Sequence, residues 1–504
     1  MRSSTTFAPP MFRVGLKKLL GWPILAVAAL VVGAAIVADA TTGLLVALVA
    51  FGIAFVAFDA QRAERWGTLA LVGGSLLLGY SFSNLGIPSA SIPVPLAELL
   101  LLPLAAVALL DSRYRPPARL LLPLALFLGI IAMRLLIDFP TYRTDAVRDA
   151  TTAVEALALV VGYRVVKRDG VQPWIRRLAW IYLGVLVYMS FYPVRDSLRA
   201  FSPIIGLRRD VYLIGGYIGV QAAVASAALF FGVHARGVRR IVLVAWGLVL
   251  TAMLQFRGSY VLLPISAGVL GWAMRRPLKV FSGTFVSIAL VGVALSFLAG
   301  AGVEGRHGPL TTDFFTQHIR TLLGEQGPSA GTVKAREEWI SWTIHRVGES
   351  PAYLVFGVGL GPDLAFGFQE PTPEGRVLVR KPHDDFLEVF ARTGLVGFIL
   401  FLWLLLRPLR AIVRGARADQ GPTGRFCAWS LAALVIFLGI AATQPLLAFP
   451  HGAVPTFFLL GMGAAAAESI AVSQRSARVP VASAAPYAET PRGAREGSRL
   501  DADA

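Results

Sequence analysis

The sequence predicts an all-α, polytopic transmembrane helical protein of about 12–14 spans with one large, partly helical extracytoplasmic loop. Three observations carry that expectation. Hydrophobic residues make up 56% of the chain and charged residues 15%, whereas a soluble domain carries about 25% charged residues. Apolar runs long enough to cross ~30 Å of hydrocarbon as a helix recur from one end to the other. Short alternating segments with regular turns are absent, which argues against a β-barrel.

Taken in order, residues 1–18 form a basic N-terminal segment (Arg13, Lys17, Lys18) that the reading places in the cytoplasm. Ala38-Asp39-Ala40 mimics a signal-peptidase site, but the apolar run before it exceeds a signal h-region and reads as an uncleaved first span. Spans are expected at 19–38, 43–59, 67–86, 94–110, 119–137, 150–166, 178–193, 211–233, 240–256, 258–273 and 280–301. The loop 302–385 follows, then spans at 386–406, 427–448 and 454–471 and a disordered cytoplasmic tail over 472–504. With the N-terminus inside, 30 of the 47 Lys and Arg fall in inner connections, while the outer connections 39–42, 87–93 and 449–453 contain none. This is the positive-inside pattern of a bacterial inner membrane protein. It accounts for most of the +17 net charge without a nucleic-acid partner.

The single cysteine, Cys427, precludes an intramolecular disulfide and a cysteine metal site, and reads as a packing residue. No internal repeat is evident, which weighs against an inverted-repeat transporter. Mid-membrane carboxylates are scarce: Glu98 and Glu155 are the only candidates, and both lie near outer ends.

Arginines on the outer side oppose the topological preference and call for another reason. Arg195, Arg199, Arg208 and Arg209 precede the 211–233 span, with Asp196 and Asp210 as local partners or an anionic headgroup as ligand. Arg257, in Gln255-Phe256-Arg257-Gly258-Ser259, sits in a near-zero-length connection at the membrane edge, either snorkelling or facing an anion. Gly258 is expected to supply the sharp turn there. Lys334 to Ile344, which includes Arg336, has helical spacing, bringing Trp339, Trp342, Thr343 and Arg346 within reach of one another, and Ser350-Pro351 ends that helix. Phe356-Gly357-Val358-Gly359-Leu360-Gly361 is a glycine-rich turn, weak as a phosphate signature and lacking the strand–helix unit of a dinucleotide site. Lys381-Pro382-His383-Asp384-Asp385-Phe386-Leu387-Glu388 runs into a membrane helix. Asp384 or Asp385 can cap it. His383, with carboxylates raising its basicity, reads as a general base oriented by an acid. The rivals are a spectator histidine beside a capping cluster, and Mg²⁺ or Ca²⁺ binding by His383, Asp384, Asp385 and Glu388.

In this order the motifs resemble the O-antigen ligase and polymerase family of bacterial envelope glycosyltransferases. The signature is His383-Asp384-Asp385-Phe386-Leu387 followed by Gly394-Leu395-Val396-Gly397. Arg257-Gly258 is similar to the family's Ser-Arg-Gly turn, with Phe256 in place of serine. Arg336 with Trp339, ahead of Gly357-Val358-Gly359, resembles its loop pattern, and Arg208 or Arg209 another family arginine. Two positions depart: Asp384 stands where asparagine is commoner, and Arg392 where many members have glutamate. The likeness spans roughly residues 200–450. It implies an undecaprenyl-pyrophosphate-linked glycan donor, a glycan or lipid acceptor hydroxyl, surrounding membrane lipids and inverting transfer without metal or other cofactor. It implies His383 as base with Asp384 or Glu388 orienting it, and Arg257, Arg336 and Arg208 or Arg209 binding the pyrophosphate. Ligase and polymerase share this chemistry and are not separated. A flippase of lipid-linked glycans and a non-catalytic scaffold are the competing classes.

Overall fold

In hydrocarbon each segment must satisfy its own backbone N–H and C=O groups, so apolar runs of this length fold as helices. The computed structural model describes residues 61–87, 94–198, 218–276, 330–365, 368–372 and 375–478, with short pieces at 214–215, 300, 304–305, 308–309, 311 and 320. The spans expected at 19–38 and 43–59, nearly all of 280–301, and the tail beyond 478 lie outside them.

The helices are α1 (61–77), α2 (Leu96–Leu110), α3 (Ala118–Tyr142), α4 (Thr144–Asp149), α5 (Thr151–Glu155), α6 (Ala158–Asp169) and α7 (Val171–Ser190). They continue with α8 (Ile218–His234), α9 (Gly237–Met253), α10 (Arg257–Ala273), α11 (Ala330–Gly348), α12 (Pro351–Phe356), α13 (Asp385–Ala418), α14 (Pro422–Ala441) and α15 (Pro450–Arg478). Among the described residues α3, α13, α14 and α15 are long and apolar enough to cross a membrane. Counted as one span, α7 and Tyr192–Leu198, bent by 45°, make a fifth, and α2 and α8 are shorter apolar helices. The chain is thus an all-α membrane protein, apart from two-residue strand pairings and one hairpin, β1 (Phe368–Thr372) with β2 (Gly375–Val379), inside the large loop.

Four elements differ from the sequence expectation. The 67–86 span is helical over 61–77 and again over Tyr80–Asn84, broken at Leu78-Gly79, where Gly79 has φ 55°. The 150–166 span is broken into α5 and α6 at Ala156-Leu157, with Glu155 at the end of α5. The 427–448 span ends at Ala441, because Pro445 cannot continue a helix and disfavours helical geometry at the residue before it. Leu446 and Leu447 are apolar because they are buried in a loop, not because they are helical. At the C-terminal end, α15 carries helix through Arg478, into the segment expected to be disordered.

The core gathers around α15. Gly162 of α6 lies under the Phe458 carbonyl and Gly461 of α15 under the Leu159 carbonyl, so a Cβ at either position would stand 2.1 or 2.0 Å from that oxygen. Small residues allow this backbone-to-backbone approach where lipid supplies no hydrophobic drive. Cys427 is buried beside it, as its position suggests. Conversely, α3 turns Leu122, Leu126, Met133 and Leu136 outward, onto the face that hydrocarbon covers.

Among the described residues most ion pairs fall into two groups near helix ends. In one, Arg164 binds Glu64 at 2.7 Å and Asp111 at 2.9 Å, and Arg177 binds Asp169 at 2.6 Å. In the other, the connection 138–149 meets the large loop through Arg380 and Asp145. Segments that the positive-inside reading assigns to one face lie together in each case.

Candidate functional site

The site is built on the first turns of α13. Asp384 caps the helix, its carboxylate accepting from Leu387 N at 3.0 Å, while Asp385 turns away and accepts from Leu447 N at 2.6 Å. Each carboxylate satisfies a backbone donor that would otherwise be orphaned. His383 turns the chain into the helix with a left-handed φ of 56°.

Two turns into α13 the helix kinks at Gly394, where φ is 65° and ψ −169°. The kink releases the carbonyls of Ala391 and Arg392, and the glycine-rich turn takes them. Val358 N donates to Ala391 O at 2.7 Å and Gly359 N to Arg392 O at 3.3 Å. The next two amides go to aspartates on the far side, Leu360 N to Asp138 at 2.7 Å and Gly361 N to Asp149 at 2.9 Å. These four amides are therefore committed to internal acceptors, which replaces the phosphate reading of this turn with a packing one.

Arg392, fully buried, secures the same turn. Its guanidinium donates to Gly359 O at 3.3 Å and Pro362 O at 2.7 Å, and ion-pairs with Asp149 at 2.9 Å and Glu388 at 3.6 Å. Lys381 pairs with Glu388 at 2.9 Å. Glu388 and Asp384 thus hold Lys381, Arg392 and the helix start, and no ion pair or hydrogen bond between either and His383 is described. A small cavity lies here between α3, α5 and α13, lined by Ile131, Asp149, Thr152, Asp385, Glu388 and Arg392. Glu98 and Glu155, distant in sequence, are both buried.

His383 is packed under Trp339, ring centroids 4.7 Å apart at 60°. Helix α11 supplies both Trp339 and Arg336; Trp339 and Thr343 face inward, Trp342 outward, and Arg346 pairs with Glu349 at 2.8 Å. Ser350 does not merely end α11: its side chain caps α12 by accepting from Ala352 N. Burial, then the Arg336 and Lys381 cations, push the His383 imidazole down to about 4. This corrects the expectation that neighbouring carboxylates raise its basicity. The carboxylates adjacent in sequence point to other partners, and the groups that act on His383 are cations. Burial also raises Asp384 above the usual aspartate range. Among the described residues no three metal-ligating side chains converge on a cation-sized site, so His383, Asp384, Asp385 and Glu388 do not form the proposed ligand set.

Arg257 begins α10, and the turn before it is made by Gln255 at φ 52°, not by Gly258, which is helical. The Glu304–Gly305 strand pairing sits on this turn, since a Cβ at Gly305 would lie 2.6 Å from the Gln255 side chain. Arg195 stacks on Tyr192 at 4.4 Å. Arg199, Arg208 and Arg209 lie outside the described residues.

The structure thus joins Arg336, Trp339, Lys381 and His383, and adds Asp138, Asp149 and Arg392, whose roles sequence reasoning missed. The available signal was two aspartates flanking the 138–149 outer connection. Residues 241–402, which contain Arg257, Arg336, His383 and Arg392, match the O-antigen ligase family model. A search of curated proteins finds no match.

Proposed function

Because the chain carries an O-antigen ligase domain over residues 241–402, which supports its assignment to the O-antigen ligase and polymerase family, we propose that it transfers a glycan from a polyprenyl-pyrophosphate carrier to an acceptor hydroxyl at the outer face of the bacterial inner membrane. The acceptor oxygen attacks the anomeric carbon, the bond from that carbon to the pyrophosphate oxygen breaks, and the pyrophosphate leaves with its electron pair. His383 takes the acceptor's proton. Arg336, Arg257 and Lys381 offset the charge that grows on the leaving group, with Arg208 or Arg209 as a further cation. A single displacement inverts the anomeric centre. Asp384 and Glu388 act on His383 through the helix start they hold.

The observation that carries this reading is His383 packed against Trp339, with Arg336 on the same helix as Trp339 and Lys381 two residues before His383, both cations acting on its imidazole. Burial chiefly, and these two cations after it, lower the basicity of His383, and the cations are those a pyrophosphate would bind. Arrival of that anion cancels their effect and raises the basicity of His383 when a base is needed. The test uses purified protein in lipid vesicles with a polyprenyl-pyrophosphate-linked glycan and an acceptor saccharide. His383→Ala is expected to lower transfer by ~10²–10⁴-fold with membrane insertion intact; undiminished transfer overturns the reading. Donor crossing the bilayer with no new glycosidic bond would indicate a flippase instead.

A further inference from the structure

Asp149, Arg392, Glu388 and Lys381 close a ring of alternating charge. Arg392 Nη2 lies 2.9 Å from Asp149 Oδ2, and its Nε 3.6 Å from Glu388 Oε1. Lys381 Nζ lies 2.9 Å from that same Glu388 oxygen and 3.9 Å from Asp149 Oδ1. The four side chains are 0–13% exposed, so each charge is sustained by the two beside it; removing one leaves its neighbours uncompensated in a site that water scarcely reaches. The ring also unites separate parts of the chain. Asp149 ends α4, Lys381 stands two residues before His383, and Glu388 and Arg392 lie one turn apart on α13. Through Gly361 N, Gly359 O and Pro362 O, its Asp149 and Arg392 members also hold the glycine turn.

We propose that Asp149 and Arg392 are positioning residues. They fix Lys381, and with it His383, relative to the first turns of α13 and the glycine turn, and they reach the reacting groups only through those elements. This rests on the glycan-transfer reading. It goes beyond that reading by assigning a role to Asp149, which lies outside the matched domain, and to Arg392, which has no part in the chemistry.

Full-length wild type, Asp149→Ala, Asp149→Asn and Arg392→Lys are compared by amide hydrogen exchange and by transfer kinetics. Asp149→Ala removes both the charge and the Gly361 acceptor, whereas Asn keeps an acceptor and Lys keeps the charge without the planar fork. In Asp149→Ala, exchange over 357–361 is expected to rise about tenfold. Its kcat is expected to fall about 10²-fold while the donor KM holds. The two conservative variants should recover part of both. Unchanged exchange over 61–70 and 164–169 would show that the bundle is intact; should Asp149→Ala not fold, the conservative variants give the same comparison. Three results overturn the proposal: unchanged exchange with lost transfer (a direct chemical role), faster exchange with full transfer, or no change in either. A wild type inactive with donor and acceptor present sinks the transfer reading instead, and the exchange arm still reports whether the ring holds the turn.

Discussion

His383 shows how burial and neighbouring cations set the state of a single side chain. With its pKa held to about 4, the ring is neutral across the physiological range. Its folded pKa lies below the unfolded value of about 6.5. The stability it contributes is therefore fully present above about pH 6.5 and is lost as pH falls through about 4. Thermal unfolding of the wild type should weaken across that acid window, and His383→Gln should flatten the dependence. Arg336→Gln removes one of the cations that depress His383, so the acid limb of transfer should move to higher pH. On the proposed reading the same change also removes a charge-assisted contact of about 1.5–3 kcal/mol with the donor phosphate, so the donor KM should rise by about tenfold or more; a pH–rate profile reads both effects. His383 and Arg336 were legible from residue type and order. The direction of the His383 shift was not, because adjacency in sequence says nothing of where Asp384, Asp385 and Glu388 point, and Arg336 arrives from another helix.

The glycine turn and the kink in α13 form one interlocking element, and its glycines are required by geometry. Gly359 has φ 106°, and a Cβ there would lie 2.3 Å from an Arg134 nitrogen and 2.7 Å from Asp138. At Gly394, with φ 65°, the nearest atom would be the Val355 carbonyl oxygen at 2.3 Å. Either Gly359→Ala or Gly394→Ala should destabilise the element by about 1–3 kcal/mol through left-handed strain and overlap with fixed neighbours. A lowered melting temperature in detergent would register this. Gly129, helical with open space around it, provides the control, since Gly129→Ala should be neutral or slightly stabilising. A run of alternate glycines told the sequence reader that backbone comes close to something. That the something is α13 and two aspartates depends on contacts far apart along the chain.

Among the described residues two groups of ion pairs tie the helices together, one around Arg164 and Asp169 and one around Asp145, Asp149 and Arg392. The absolute orientation expected from the basic connections can be tested because Cys427 is the sole cysteine and is buried. In a Cys427→Ala background, a cysteine placed at Arg376 in the β2 strand should react with an impermeant maleimide in intact spheroplasts. One placed at Arg475 should react only after lysis; the opposite pattern would invert the topology.

Hydropathy is a sum over local residues, so membrane class and the approximate helices could be read along the chain. The breaks at Ala156-Leu157, at Gly394 and after Ala441 were invisible to such sums, because a buried loop is as apolar as a helix. The pairing of Asp149 with Arg392, the commitment of the glycine amides and the suppression of His383 basicity exist only once distant segments meet. Electrostatics and hydrogen bonding depend on distance in space, and the fold alone sets that distance.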